Sequence, residues 1–240
     1  MTRSLIRSLA LSLLLLALGA CVSSPVQQAY NREMNSSIKR IAVLPMPAQN
    51  VRLFVFNNPG YSFGLIGMAI AEANRNGKEN WLQKTAADND FSHSVLFREL
   101  FTAAMLERGY ELVWQDLDHN NKRDAAGLHK KYSPVTGADA QLDIGLSFVG
   151  YAAAGAGKSE PYRPTVNLSA RLLSADGKKV LYSDMVLYHN VTNNRSALIL
   201  EPDPKYQYPD FDDLEAAGAD AIEGLRIAVN QTASALAKQL

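Results

Sequence analysis

The single cysteine of this chain limits how its fold can be held together. Cys21 is the only cysteine among 240 residues, so the chain cannot form an internal disulfide and must be stabilised by a buried core. Hydrophobic residues make up 47% of the chain and charged residues 20%, values that are typical of a soluble globular domain. A chain of this length hides roughly 70% of its unfolded surface on folding, which is enough for one well-buried core.

The segment before Cys21 has the parts of a secretory signal peptide. Arg3 and Arg7 provide a basic start, and a leucine-rich stretch follows over residues 9–18. That stretch is too short for a helix that crosses a bilayer, which needs about 20 apolar residues. We therefore predict a cleaved signal peptide at residues 1–20, with an uncleaved transmembrane anchor as the alternative.

The end of this segment, Leu18-Gly19-Ala20-Cys21, resembles the lipobox of bacterial lipoproteins. The resemblance implies that a signal peptidase recognises Leu18, Gly19 and Ala20 and cuts before Cys21. The thiol of Cys21 then carries a diacylglycerol, and its new α-amine carries a further acyl chain such as palmitate. Because two or more acyl chains hold a protein stably at a membrane, Cys21 would be a permanent anchor. Val22, in place of an aspartate, favours the outer membrane in the sorting rule of enteric bacteria.

The charge distribution argues against a nucleic-acid partner. The chain has 24 basic and 24 acidic residues, and loss of Arg3 and Arg7 leaves 22 and 24. Nucleic-acid binders normally concentrate basic residues on one face. The basic pairs here are short and scattered: Lys39-Arg40, Lys122-Arg123, Lys130-Lys131 and Lys178-Lys179.

The apolar pattern predicts a polar tether at residues 22–37 and one α/β domain over residues 38–240. We expect strands at residues 38–44, 110–114, 140–151, 165–173 and 179–189, and a strand or a packed loop at 51–56. The last two strands form a hairpin through Asp176-Gly177. Alternation places Leu142, Ile144, Leu146 and Phe148 on one face, and likewise Val166, Leu168, Ala170 and Leu172. The predicted fold is a single mixed sheet of about five strands flanked by helices.

Four stretches are predicted to be helical. Residues 91–108 carry the apolar stripe Val95, Leu96, Leu100, Phe101, Ala104 and Met105, with Gly109 as the stop. A short helix is expected at 123–132, and a final helix at 213–238 with Leu214, Ala217, Ala221, Leu225, Val229 and Leu236 on one face. Residues 63–71 are apolar on all sides, and we predict that they begin a buried helix that continues to about Lys84 with a break at Gly77. The alternative for residues 63–71 is a segment that touches the membrane or another copy of the chain.

The first predicted strand, Lys39-Arg40-Ile41-Ala42-Val43-Leu44-Pro45, resembles the opening strand of several periplasmic lipoproteins. The curli-secretion lipoprotein, the lipoproteins that activate penicillin-binding proteins and the N-terminal domain of TolB share this style. The resemblance implies contact with another envelope protein or with a second copy of the chain.

A nucleotide site is not expected. Gly155-Ala156-Gly157-Lys158-Ser159 resembles the end of a phosphate-binding loop, but Ala152 stands where the first glycine is needed. Pro161 and Pro164 oppose the helix that must follow. We predict a loop between two strands.

Metal and catalytic sites are not expected either. The calcium-like start at residues 116–120 continues with Asn121 and Gly127 where a glycine and a bidentate glutamate are required. The sequence contains no metal-ligand spacing and no nucleophile elbow, and Ser147 lies inside a predicted strand. The four histidines, His93, His119, His129 and His189, are scattered. We predict no catalytic residue, no metal and no cofactor.

The proline-rich and tyrosine-rich stretch at residues 202–209 is our hypothesis for a partner surface, centred on Tyr206 and Tyr208. The alternative is a loop packed over the domain edge. The function favoured by the sequence is a non-enzymatic lipoprotein of the outer membrane with a binding or assembly role in the periplasm. The alternatives are an oligomeric secretion or transport component, in which residues 63–71 or the hairpin at 165–189 become membrane strands, and a periplasmic hydrolase.

Overall fold

The computed structural model describes residues 26–47, 49–62, 64–116, 122–191 and 193–240, and the side chains of all of these except residues 60, 61 and 64–67. The signal peptide and the lipobox, Leu18, Gly19, Ala20 and Cys21, lie outside the described residues, as do His119 and most of the calcium-like stretch.

One mixed sheet of seven strands organises the described chain, which confirms the predicted fold class. The strands are β1 Arg40–Val43, β2 Arg52–Asn57, β3 Glu111–Trp114, β4 Ala140–Gly155, β5 Arg163–Ser174, β6 Val180–Tyr188 and β7 Leu198–Leu200. Their order is β3-β1-β4-β5-β6-β7, and β2 pairs with β4 beyond β1. The count exceeds the expected five because residues 51–56 include a strand and because β7 lies in the connection after β6.

Helices cover one face of this sheet. They are α1 Gly64–Asp88, α2 His93–Glu107, α3 Phe211–Ala217 and α4 Ala219–Gln239. Helix α4 packs against β5 and β6, α2 packs on α4, and α1 lies beside β2. Within the described residues, no helix combines the length and the apolarity that crossing a membrane requires.

The predicted hairpin is confirmed, and its alternation holds throughout β5. Val166, Leu168, Ala170 and Leu172 are completely buried in the core. In β4 the alternation fails at one point, because the pairing with β5 shifts between Leu146 and Phe148. Ser147 is the extra residue of a β-bulge. After it, the side chains of β4 point to the opposite faces of the sheet from those that strict alternation predicts. The placement of Phe148 with Leu142, Ile144 and Leu146 is therefore wrong, and Val149 takes the core position instead.

The stop predicted for helix α2 is confirmed: Gly109 follows the C-cap residue Arg108, and its φ of +86° is accessible to glycine at little cost. Its buried face differs from the expected stripe: Phe97 is buried, whereas Val95 is exposed. The final helix is also not continuous. Gly218, with φ +53° and ψ −114°, separates α3 from α4, and the side chain of Asp210 caps α3 by accepting from the Asp213 N–H.

The short helix predicted at residues 123–132 is wrong. Instead, the Asp124 side chain accepts hydrogen bonds from the N–H groups of Ala126 and Leu128 and holds a turn. This turn lies directly on β4: a Cβ on Gly145 would stand 2.4 Å from the Ala126 carbonyl oxygen. The segment therefore covers the sheet face opposite the helices.

Helix α1 departs from two expectations. It runs through Gly77 without a break. Met68 and Ile70, which were expected to be buried, are exposed, whereas Ala71 is buried. The membrane-touching or self-associating alternative for residues 63–71 stays a prediction.

The predicted tether is shorter than the polar composition suggests. Gln28 and Ser183 exchange two backbone hydrogen bonds of 2.7 and 3.0 Å at the edge of β6. The Gln27 side-chain amide donates to the Asp184 carboxylate at 2.8 Å, and Arg32 Nε donates to the Leu240 carbonyl at 2.8 Å. Residues 27–37 thus lie on the domain.

Candidate functional site

A buried cluster of polar groups surrounds Asp143, on the sheet face opposite the helices. The Asp143 carboxylate is completely buried. Its Oδ2 accepts from the His129 backbone N–H at 2.6 Å and from the Tyr132 hydroxyl at 2.9 Å. Its Oδ1 lies 2.9 Å from His129 Nδ1 and 3.6 Å from Arg123 Nη1. A charge buried this deeply is tolerated because every side of the carboxylate meets a donor.

The contacts of His129 define its protonation state. Its Nε2 lies 3.2 Å from Arg123 Nη2, and a guanidinium can only donate. Nε2 must therefore accept, and the ring is neutral with its proton on Nδ1, directed at Asp143. Tyr132 also keeps its proton, because burial and the Asp143 carboxylate raise the pKa of its hydroxyl.

The cluster holds the segment at residues 122–133 against the sheet. Arg123 also donates to the carbonyls of Gly127 and Pro45, and Arg171 donates to the Tyr132 hydroxyl at 3.1 Å. Because the carboxylate is enclosed and its partners are engaged with one another, the arrangement stabilises the fold. Sequence reasoning missed it; the available signal was one aspartate in the apolar run of β4.

His189 occupies a strained position at the end of β6. Its φ of +71° lies in the left-handed region, which is uncommon for a side chain of this size. The Thr165 hydroxyl donates to the Arg163 carbonyl at 3.0 Å and therefore accepts from His189 Nδ1 at 2.8 Å. Burial, with a smaller contribution from the charge of Arg163, lowers the pKa of His189 to about 4. The ring lies in a crevice lined by Phe56, Phe148, Leu187 and Val191.

The lowered pKa predicts acid sensitivity that depends on His189. Between about pH 6.5 and 4 the unfolded chain binds a proton at this residue and the folded chain does not. The stability from a neutral His189 is complete above pH 6.5 and is lost as the pH falls through 4, by on the order of 2–3 kcal/mol. Asparagine tolerates the left-handed backbone, so His189→Asn should unfold at a temperature less dependent on pH. Thermal unfolding of both proteins at pH 7.5 and 4.5 measures this; an equal drop in both would contradict it.

The hypothesised partner surface is largely internal. Tyr206 is only 4% exposed, and its Cβ would lie 2.8 Å from a Cβ added to Gly224 of α4. Tyr208 is half-buried and exchanges backbone hydrogen bonds of 2.8 and 2.9 Å with Tyr162. The alternative, a loop packed over the domain edge, describes this segment. The hypothesis of an exposed surface is wrong for Tyr206. Its side chain packs against α4 at Gly224, where the absence of a glycine side chain leaves space for it.

The remaining sequence motifs are dispersed in the fold. The loop predicted at residues 155–159 follows β4, and Lys158 pairs with Asp210 at 3.2 Å. Ser147 is the bulged residue of β4, and its hydroxyl lies 3.4 Å from the Asn167 carbonyl oxygen. His93, His129 and His189 lie in separate parts of the domain. Across the described ranges, no group of three or more His, Cys, Asp or Glu side chains is placed to hold a metal ion.

Comparison with known proteins finds similarity among solved structures but not among sequence families. No protein-family model matches the chain, and no curated protein sequence is significantly similar to it. The crystal structure of lipoprotein GNA1162 from Neisseria meningitidis aligns at 18% sequence identity over 77% of this chain and 98% of that chain. The TM-score of 0.31 is too low to establish a shared fold, so no functional conclusion follows from the alignment.

Proposed function

We propose that this chain is a lipoprotein of the outer membrane, and that its periplasmic α/β domain binds another envelope protein or a second copy of itself without catalysing a reaction. The observation that carries the proposal is Leu18-Gly19-Ala20-Cys21 at the end of a short apolar segment. The proposal gives no catalytic role to Asp143, His129 or His189, because their side chains are engaged in hydrogen bonds inside the domain.

The docked segment at residues 27–37 determines how closely the anchor would hold the domain. Six residues, 22–27, separate Cys21 from Gln28, the residue that pairs with β6, so the two Cα atoms are joined by seven residue steps. Even fully extended, they span at most about 25 Å. The anchor would therefore keep the β6 edge of the sheet within that distance of the bilayer, so a partner that binds this edge would itself lie near the membrane.

Cys21→Ser is expected to abolish membrane attachment. Without a thiol no diacylglycerol can be attached, and the chain should lose labelling by palmitate and move from the detergent phase to the aqueous phase of a Triton X-114 partition. The matched control is Cys21→Ser combined with Ser23→Cys, which keeps one cysteine but moves it out of the motif; it should behave like the single variant. Retention of label and membrane attachment by Cys21→Ser would overturn the anchor.

Separate measurements test outer-membrane location and binding. Sucrose-gradient fractionation should place the chain with outer-membrane vesicles, and Val22→Asp should shift it to the inner membrane where the enteric rule applies. Crosslinking in intact cells, followed by mass spectrometry, should recover a partner that is lost with Cys21→Ser. Recovery of no partner and no second copy would contradict the binding role.

The secretion alternative makes a different demand on the hairpin. Strand β5 pairs with β4 on one side and with β6 on the other, so conversion into a membrane hairpin would break both sets of hydrogen bonds. We expect a monomer or dimer in detergent by size-exclusion chromatography with light scattering. A large closed ring would favour the secretion component instead.

A further inference from the structure

A polar cavity of about 200 Å³ lies where α1 ends and α2 begins. One wall comes from the loop before β2, the second from the last turns of α1, and the third from the first residues of α2. The lining consists of Gln49, Asn50, Val51, Gln83, Ala86, Ala87, Phe91, Ser92 and His93. None of these side chains carries a formal charge when His93 is neutral.

The N-terminus of α2 opens at this cavity with its donors unused. Ser92 is the N-cap, but its side chain makes no capping hydrogen bond, and the first turn has no acidic residue. The first backbone bond of the helix runs from the Leu96 N–H to the Ser92 carbonyl. The N–H groups of His93, Ser94 and Val95 therefore have no partner within the helix. Such an end attracts negative charge through these donors and the helix dipole.

His93 is a second, independent sign of a ligand. The residue is only 5% exposed, and among the described residues no hydrogen-bond partner reaches its ring. Both ring nitrogens keep contact with open space, and His93 lines this cavity. Burial lowers the pKa of His93, so the ring is neutral and has one N–H to donate. Because no described protein group bonds to the ring, its hydrogen-bond partner must come from what occupies the cavity.

The surrounding charges favour a single negative charge on the ligand. Among the described residues, Arg226 is a cation in contact with the cavity lining: its guanidinium lies 5.4 Å from the ring centre of Phe91 and donates to the Asn89 carbonyl. Asp90 is exposed, and Asp88 is paired with Lys84; neither lines the cavity. A helix terminus carries about half a unit of positive charge, which suits a monoanion better than a dianion.

We propose that this cavity binds the carboxylate group of a small ligand or of a peptide C-terminus, with the N–H groups at the start of α2 and the His93 ring as donors. The side chains of Gln49, Asn50 and Gln83 offer amide groups to the polar part of the ligand next to the carboxylate. The site does not involve Cys21, so a failure of this proposal would leave the proposed membrane anchor unaffected, and the reverse.

Titration calorimetry on the full lipidated chain in detergent tests this proposal with four probes. N-acetylglycine, which carries a carboxylate and an amide, is expected to bind with a Kd of roughly 1 mM. N-acetylglycinamide has the same shape without the charge and should bind at least tenfold more weakly. Acetate distinguishes the two possible sources of the carboxylate. If acetate binds more weakly than N-acetylglycine, the ligand is a peptide C-terminus; if the two bind equally, it is a small free acid. Inorganic phosphate that binds tenfold more tightly than N-acetylglycine would overturn the carboxylate assignment.

Two variants locate the site. Asn50→Asp adds a negative charge at the exposed rim of the cavity and should weaken N-acetylglycine binding at least tenfold while leaving the fold intact. His93→Phe removes the ring donor and should weaken binding similarly. Asn31→Asp makes the same charge change on the exposed segment before β1, and His189→Asn alters another buried histidine; both should bind like the unmodified chain. Unchanged binding by Asn50→Asp, or equal binding of N-acetylglycine and its amide, would refute the proposal.

Discussion

Asp143→Ala is expected to lower the free energy of unfolding by about 3–5 kcal/mol, because it leaves Arg123 buried beside no counter-charge. Arg123 is only 12% exposed at its side chain, and the His129 N–H and the Tyr132 hydroxyl would lose their acceptor at the same time. Urea unfolding followed by tryptophan fluorescence measures the change. Native-state hydrogen exchange should show the largest loss of protection over residues 122–133, which the carboxylate holds against β4.

The control for Asp143→Ala is a substitution in a solvent-exposed ion pair on the surface of the domain. Asp88→Asn removes the partner of Lys84, and both side chains are more than half exposed. Exposed pairs of this kind contribute about 0.3–0.5 kcal/mol, so the midpoint of unfolding should hardly move. Arg123→Met in the Asp143→Ala background removes the stranded charge and should recover part of the loss. Similar effects for Asp143→Ala and Asp88→Asn would contradict the role assigned to the buried cluster.

Gly150→Ala is expected to destabilise the domain by about 3 kcal/mol or more, because β2 leaves no room for a side chain at this position. A Cβ on Gly150 would stand 1.8 Å from the Arg52 carbonyl oxygen, which is backbone and cannot swing away. The φ of +158° adds a backbone conformation that alanine rarely adopts. The melting temperature should fall by roughly 6–12 °C, given about 2–4 °C per kcal/mol at this chain length.

Gly77→Ala is the matched control, with the same substitution at a site that has space. Gly77 lies in the interior of α1, and nothing stands within 4 Å of an added Cβ. Alanine is favoured over glycine in a helix by about 1 kcal/mol, so this variant should melt a few degrees higher. A melting temperature for Gly150→Ala equal to that of the unmodified chain would mean that β2 does not close on β4.

The sequence predicts best those elements whose pattern is local. The alternation of Val166, Leu168, Ala170 and Leu172, together with the Asp-Gly turn, predicted the hairpin because both signals lie within the paired strands. Gly109 marked the end of α2 for the same reason. The prediction failed where the register between two strands decided the outcome: the bulge at Ser147 depends on how β4 aligns with β5, and it moved Phe148 off the core face.

The candidate sites could not be predicted from the sequence patterns. Asp143 finds its partners 11 to 20 residues earlier in the chain, in a segment whose composition suggested a helix. The cavity at His93 combines residues from the loop before β2, the end of α1 and the start of α2. No local sequence pattern predicts that these residues come together, because the sequence alone does not show which polar residues will be buried on folding.

The amino-acid sequence by itself defined the predicted anchor at Cys21, the absence of internal disulfides and the mixed α/β class, because composition and periodicity are properties of the unfolded chain. Tertiary structure decided where the tether ends, since Gln28 pairs with Ser183 across 155 positions. It also decided which polar groups are enclosed with protein partners, as at Asp143, and which face a cavity instead, as at His93. The physical reason is that the energy of a polar group depends on its neighbours in space, and long-range packing alone brings those neighbours together.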